Sequence, residues 1–462
     1  DFLWAHPDSV NRVSVEVTGE EGDLSSQRKQ WVYEKHRRAK GSDAEGIAAD
    51  WEGRRGIDPR LFIISVGTSE YKGESLDLSY PDQDAAYMAK ALYLTGKRLF
   101  GEQGVQAHCL TTEAHRALEG LPVQWAFPTK TTIKQAFDTV KAQARPEDLV
   151  IAYFSGHGTA LAADGDDVEF FYLSHDIDDE AKVKEAATRR SYTVSSAELT
   201  EWLKHIRAQK QALIVDACNS GAMVRSMTTG QKNLNTSQVR AYKRMRDRAG
   251  LFLLSGSTAD KKSYESSKFG QGLLTYALLT GMRGEGEVFY IDDDNAPLID
   301  LMRLFSHARD KVPVLAESIR EVQTPTLGFP RQVSSIYIGQ FDNASEIPIG
   351  REKPVLVRPL FQGGNSFGDE QAFNPELEKQ LRREAQRGAR AKWVFIDAYR
   401  YKNGYTLAGR YTIQGEALKL QANLLKDGQV VHTFDLPPSA DTDQLAEELS
   451  RALSSWMDEQ GF

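Results

Sequence analysis

Tyr153-Phe154-Ser155-Gly156-His157-Gly158 and, further along the chain, Val215-Asp216-Ala217-Cys218-Asn219-Ser220-Gly221 each close a short apolar run. The runs at 151–154 and 212–215 read as buried parallel strands, because each is a brief β-branched or apolar stretch ended by a glycine-containing turn. In open α/β sheets the reactive residues gather at the carboxyl ends of such strands. Here one strand end delivers the imidazole of His157 and the other the thiol of Cys218. Gly156, Gly158 and Gly221 let the backbone come close to a bound molecule. Cys218 is the candidate nucleophile, and His157 the candidate general acid and base.

Outward from these two runs the signals alternate between strand and helix. Strands are expected at 61–66, 105–110, 149–154, 212–215, 251–255 and 335–338, and helices at 82–94, 130–143, 196–206, 272–283 and 298–311. That alternation predicts a parallel sheet covered by helices on both faces. Ser196, with Glu198 and Glu201 close behind, marks a capped helix start. Beyond residue 350 the character changes. Strands are expected at 353–361, 393–399, 405–412, 417–425 and 429–434, with helices at 375–387 and 443–456. Lys426-Asp427-Gly428 signals a hairpin, and the set describes a small α+β domain. Before the central region, Val10, Val13, Val15 and Val17 suggest a strand. The charged run 28–40 around Trp31, Val32 and Tyr33 suggests an exposed helix, and 41–55 a connector. The expected domains are 1–57, 58–345 and 346–462.

The chain has 462 residues, of which 40% are hydrophobic and 26% charged, enough for two or three domains. Mean hydropathy is -0.47. No apolar stretch approaches the ~20 residues needed to span a bilayer, so no membrane association is expected. A net charge of -8 argues against the basic footprint of nucleic-acid binding. Two cysteines, Cys109 and Cys218, do not make a disulfide framework, and a reducing, cytoplasmic setting is expected. The sequence starts at Asp1 with no apolar leader, so the expectation is that any signal peptide or upstream domain has been trimmed away.

Ser155-Gly156-His157-Gly158 and Asp216-Ala217-Cys218-Asn219-Ser220-Gly221 resemble the SGHG and DACxSG motifs of the caspase-like cysteine peptidases. That group holds the caspases, the metacaspases and their bacterial metacaspase-like or orthocaspase relatives. The likeness covers roughly residues 58 to 340, with both motifs in the family's order. It implies the caspase-hemoglobinase fold, a six-stranded, mostly parallel sheet sandwiched by helices. It also implies a cysteine endopeptidase whose oxyanion hole is formed by the backbone amides of Gly158 and Cys218, with no clear third member behind the dyad. Bacterial relatives carry sensor or repeat domains upstream, so an upstream sensor or protein activator is an implied partner besides the peptide substrate. Residues 346–462 bear a faint likeness to the amino-terminal domain of TolB-type periplasmic proteins, with no recognisable chemistry.

Caspases line the pocket beside the scissile bond with arginines, metacaspases with carboxylates. Asp84 and Asp216, with Ser155 between them, match the metacaspase pattern, which implies cleavage after Arg, then Lys. Asp84 also suits a plain helix-start charge. Between 222 and 249 lie Arg225, Lys232, Arg240, Lys243, Arg244, Arg246 and Arg248 against one acidic residue, Asp247. Such a loop would be autoinhibitory or self-cleaved, as in a zymogen, or else a solvated surface. No cofactor is expected, except that Asp164-Gly165-Asp166-Asp167 with Asp176, Asp178 and Asp179 stands where metacaspases bind calcium. No zinc spacing occurs. His175 is the runner-up base. His108 and Cys109 are strand neighbours facing opposite ways and cannot pair. The rival reading is a catalytically silent caspase-like scaffold acting through its C-terminal domain; a caspase-fold enzyme acting on a non-peptide amide is a third.

Overall fold

The computed structural model describes residues 11–15, 29–33, 58–162, 168–217, 251–256, 265–266, 268–292, 295–319, 321–328, 336–364, 368–385, 391–415 and 417–461. Contacts divide the chain into Asp1–Asp58 and Pro59–Phe462. In the first unit Asn11–Val15 (β1) pairs antiparallel with Lys29–Tyr33 (β2). Residues 29–33 are therefore a strand and not the exposed helix expected there, consistent with the β preference of Trp31, Val32 and Tyr33.

The second unit opens with Leu61–Gly67 (β3), helix Pro81–Phe100 (α1), Val105–Leu110 (β4), Val123–Ala126 (β5), helix Lys130–Gln143 (α2) and Leu149–Ser155 (β6). Gly158–Ala162 (β7), Val168–Leu173 (β8), helix Ala186–Tyr192 (α3) and Thr193–Ser195 (β9) follow, then helix Ser196–His205 (α4) and Lys210–Asp216 (β10). After Leu251–Ser255 (β11), Glu265–Ser266 (β12) and Gln271–Gly272 (β13) come helix Leu273–Met282 (α5), Phe289–Ile291 (β14) and Pro297–Asp300 (β15). Helix Leu301–Glu317 (α6), Thr326–Gly328 (β16) and Tyr337–Gln340 (β17) complete the region.

Among the described residues the central sheet has seven strands in the order β16-β11-β10-β6-β3-β4-β5. All neighbours are parallel except the β11–β16 pair. Side chains alternate between its faces. Leu61 and Ile63 pack with α1, α5 and α6, whereas Phe62, Ile64 and Val66 pack with α2 and α4. The central strand β3 is buried along its whole length, as expected of a parallel strand covered on both sides. Two edge assignments differ from the sequence expectation. The strand expected at 335–338 is β17, and it joins β14 and β15 in a separate three-stranded sheet. The sixth parallel strand is instead β5.

Beyond it, Val355–Leu356 (β18), Leu360–Gly363 (β19), helix Phe373–Ala385 (α7), Val394–Phe395 (β20), Tyr405–Gln414 (β21), Ala417–Lys426 (β22), Gln429–Asp435 (β23) and helix Thr442–Glu459 (α8) form the C-terminal sheet domain. Asp427 and Gly428 turn β22 into β23 with φ of 49° and 85°, the primed-turn geometry that this dipeptide favours. Its core is drawn from Leu356 to Met457 alone, with α7 and α8 over one face of the sheet. The single strand expected at 353–361 is broken into β18 and β19, on either side of Arg358-Pro359. No helix among the described residues is long and apolar enough to cross a membrane.

Candidate active site

Strands β6 and β10 run side by side with Ser155 opposite Asp216, and the Gly156 N–H donates to the Asp216 carbonyl at 3.4 Å. His157 thus leaves the sheet beside the end of β10, two residues before Cys218. Gly156 turns the chain there with φ of 147°. A Cβ on Gly156 would meet the Tyr172 and Tyr71 hydroxyls, each at 3.0 Å, so any side chain here is strained. Both phenols are structural: Tyr172 donates to the Ser155 carbonyl at 2.8 Å, and Tyr71 accepts the His157 N–H at 2.9 Å.

The His157 imidazole lies against Tyr71, with ring centroids 5.2 Å apart. Its Nε2 is 2.7 Å from the Leu76 carbonyl. A carbonyl only accepts, so Nε2 carries the proton and Nδ1 is left with a lone pair to receive one. Burial lowers the imidazole pKa, against the opposing pull of the Leu76 carbonyl and Glu180. The ring is therefore kept neutral. Gly158 pairs with Tyr172 across β7 and β8, and the preceding carbonyl, of His157, takes the Leu173 N–H. That pattern makes Gly158 a non-hydrogen-bonded ladder position, with its N–H directed away from β8.

Asp84 and Asp216 come together. Both are buried, at 1% and 6% exposure. A Cβ on Gly272 would lie 2.6 Å from Asp216 Oδ2 and 2.9 Å from Asp84 Oδ2, so the two carboxylates converge on one point. Asp84 Oδ2 accepts the Gly272 N–H at 3.0 Å and faces the Ser155 hydroxyl at 3.4 Å. Asp216 Oδ2 accepts the Thr275 hydroxyl at 3.0 Å and its N–H at 3.3 Å. Gly272 caps the start of α5, whose positive end offsets part of the repulsion between two buried like charges. Their field is felt nearby: burial, with Asp84 and Asp216 adding to it, raises the pKa of the Tyr153 phenol.

Neighbouring candidates separate from this site. Asp82 is engaged by the Ser69, Thr112 and Glu113 N–H groups and the Thr112 hydroxyl, and serves the loops around α1. Cys109 is fully buried in the α1 face of the sheet, and burial, with Asp82 adding to it, pushes its thiol up to about 12. That thiol is inert at neutral pH. His108, on the other side of β4, has its pKa lowered by burial. The His175 Nδ1 is tied to the Glu70 carbonyl at 2.7 Å, and the ring packs edge-on against Phe127. Asp176 pairs with Lys72 at 2.8 Å and Asp178 with Lys182 at 2.5 Å, and the described residues contain no cluster of three or more metal-binding side chains. Cys218, Asp164, Asp166, Asp167 and the basic stretch from Arg225 through Arg240, Lys243, Arg244 and Arg246 to Arg248 lie outside the described residues.

Neither Leu76, whose contribution is a backbone carbonyl, nor Gly272 as the meeting point of two carboxylates is marked in the sequence. The Gly272-Leu273 junction, a glycine at the head of an apolar helix, is the only signal that was available there.

A solved structure of a structural-genomics target from Geobacter sulfurreducens is similar at 16% identity, covering 63% of this chain and all of its own, with a TM-score of 0.37. A search of curated proteins finds no match. The family model described as the caspase domain matches residues 62–334, which span the parallel sheet, its covering helices and both motif-bearing strand ends. With more than half of its length accounted for by that domain, the chain belongs to the caspase-like superfamily of cysteine peptidases.

Proposed function

We propose that the chain is an endopeptidase that cuts after arginine, and less well after lysine, with Cys218 as nucleophile and His157 as its base. The observation that carries this reading is the convergence of Asp84 and Asp216 beside the strand ends that lead to His157 and Cys218. A guanidinium placed there gains charge-assisted bonds from two fixed carboxylates, with the Ser155 hydroxyl beside them. Its planar fork matches a carboxylate pair better than a lysine ammonium does.

Catalysis follows from the ring orientation. His157 Nδ1 takes the thiol proton, and the Cys218 thiolate attacks the carbonyl carbon of the residue after whose side chain the pocket is named. The Gly158 N–H, turned away from the ladder, and that of Cys218 receive the negative oxygen. Collapse breaks the C–N bond, and the imidazolium returns its proton to the leaving amine. Water, deprotonated by the same nitrogen, then hydrolyses the thioester and releases the thiol. The Leu76 carbonyl holds the ring through both proton transfers. The basic run 222–249 is the natural internal substrate or plug for an acidic pocket.

The test is a pair of fluorogenic peptides differing only in Arg or norleucine before the cleaved bond, given to the wild-type chain, Cys218→Ala and Asp84→Asn. The Arg peptide is cleaved by wild type alone at full rate, and Asp84→Asn raises KM by about a hundredfold, a loss in keeping with a buried charge-assisted contact. Intact-mass analysis of wild type beside Cys218→Ala reads self-cleavage within 222–249. Equal cleavage of the norleucine peptide removes the specificity reading; activity surviving Cys218→Ala removes the mechanism.

A further inference from the structure

Gln271 is fully buried and joins two parts of the molecule that are distant in sequence. Its Oε1 accepts the Gly350 N–H at 2.6 Å, and its Nε2 donates to Asp84 Oδ1 at 3.4 Å. A backbone N–H only donates and a carboxylate only accepts, so one orientation of the amide satisfies both and a flipped one satisfies neither. The next residue, Gly272, holds the other Asp84 oxygen. Asp84 is thus gripped on both oxygens by consecutive residues of β13.

Gly350 begins the run into the C-terminal sheet domain, and that run is fastened over the β13 loop. The Lys353 N–H donates to the Lys268 carbonyl at 2.6 Å, and the Tyr276 hydroxyl to Glu352 Oε1 at 2.8 Å. The Lys353 ammonium reaches the Tyr80 hydroxyl at 3.2 Å, directly ahead of α1. From α1 itself, Gln83 donates to the Gly270 carbonyl at 2.7 Å. Gly350 has no room to spare: a Cβ on it would lie 2.3 Å from the Phe269 carbonyl oxygen and 2.6 Å from Gln271 Cγ.

We propose that residues 350–353 act as a strap that sets the grip of the cation pocket, with Gln271 as the positioning residue through which the strap holds Asp84. The inference rests on the acidic pair being the pocket for the substrate's cationic side chain. Gln271 touches Asp84 and not the substrate, so its influence is on how well a guanidinium is bound. Movement of the C-terminal domain entry alters that binding without touching His157.

The experiment uses the full-length chain as wild type, Gly350→Ala and Gln271→Met. Gly350→Ala forces the strap off residues 269–271 without removing any pocket side chain. Gln271→Met keeps side-chain length and removes both hydrogen bonds. Each is measured for kcat and KM on the Arg peptide, for inhibition by benzamidine, whose amidinium fills a cation pocket without reaching the nucleophile, and for thermal midpoint. The expected result is a rise of about tenfold in both KM and the benzamidine inhibition constant, with kcat within about twofold of wild type. If wild type cleaves while both constants stay within about twofold in the folded variants, the strap has no hold on the pocket and the inference is overturned. A fall in kcat at unchanged KM overturns it as well. Should wild type neither cleave the Arg peptide nor bind benzamidine, the reading of the acidic pair fails, and the strap with it. If Gly350→Ala does not fold, Gln271→Met alone decides.

Discussion

At the scale of single residues, the site is an exercise in holding charge states by contact. His157 is neutral because burial disfavours its cation, with the Leu76 carbonyl and Glu180 pulling the other way. A folded-state pKa lowered from 6.5 means that the unfolded chain binds the proton first as pH falls. Stability is therefore complete above 6.5 and is lost as pH drops from there towards the folded value. His108, His115 and His307 are lowered by burial too and add to the same slope. Asp82, raised by burial, works in the opposite sense, in a window that opens at 3.8. The thermal midpoint of the chain is expected to fall between pH 7.5 and about 5.5, and His157→Gln to flatten that slope. Identical slopes for the two proteins would show that His157 is not the half-buried neutral ring described. The position of His157 at the end of β6 was legible in the sequence because an imidazole after an apolar run stands out. The Leu76 carbonyl and the Gln271 amide were not, since a backbone oxygen and a common amide have no signature until folding aims them.

At the scale of elements, the buried strands declared themselves. Parallel strands covered on both faces read as unbroken apolar runs, which is why β3, β6, β10 and β11 fall within a residue or two of their expected bounds. Strand β5 carries no such signal because it lies at the edge, with Gln124 and Trp125 exposed and no apolar run. The extended backbone of β17 is legible in the sequence but its sheet is not, since local pattern fixes extended backbone and says nothing of the partner. Capping is equally local: Ser195 and Glu198 close a reciprocal capping box at the start of α4, one residue earlier than the cap read from sequence. The β6 end is the element on which the site depends. Gly156→Ala forces a side chain into φ of 147° and against two phenol oxygens at 3.0 Å. The expected cost is about 1–3 kcal/mol of stability, read by urea unfolding, with loss of peptide cleavage because His157 is displaced. A variant with wild-type stability and activity would mean that the turn is not held as tightly as its contacts imply.

At the scale of the whole molecule, the caspase domain and the C-terminal sheet domain each have a core of their own, yet contacts bind Pro59–Phe462 into one compact unit. The boundary expected at 346 falls just before the strap, where Gly350 and Lys353 are hydrogen-bonded to the neighbouring domain. Composition marks a change of architecture there; it is blind to the stitching. The inert thiol of β4 has a use at this scale. With only two cysteines in the chain and Cys109 sealed beneath α1, alkylating reagents meet two different clocks. Iodoacetamide added to the native protein should modify Cys218 promptly, whereas Cys109 waits for the sheet to open as a whole. Peptide mapping of a time course then reads the reactivity of the proposed nucleophile and global unfolding from one tube, and equal rates at the two positions would contradict the burial of β4.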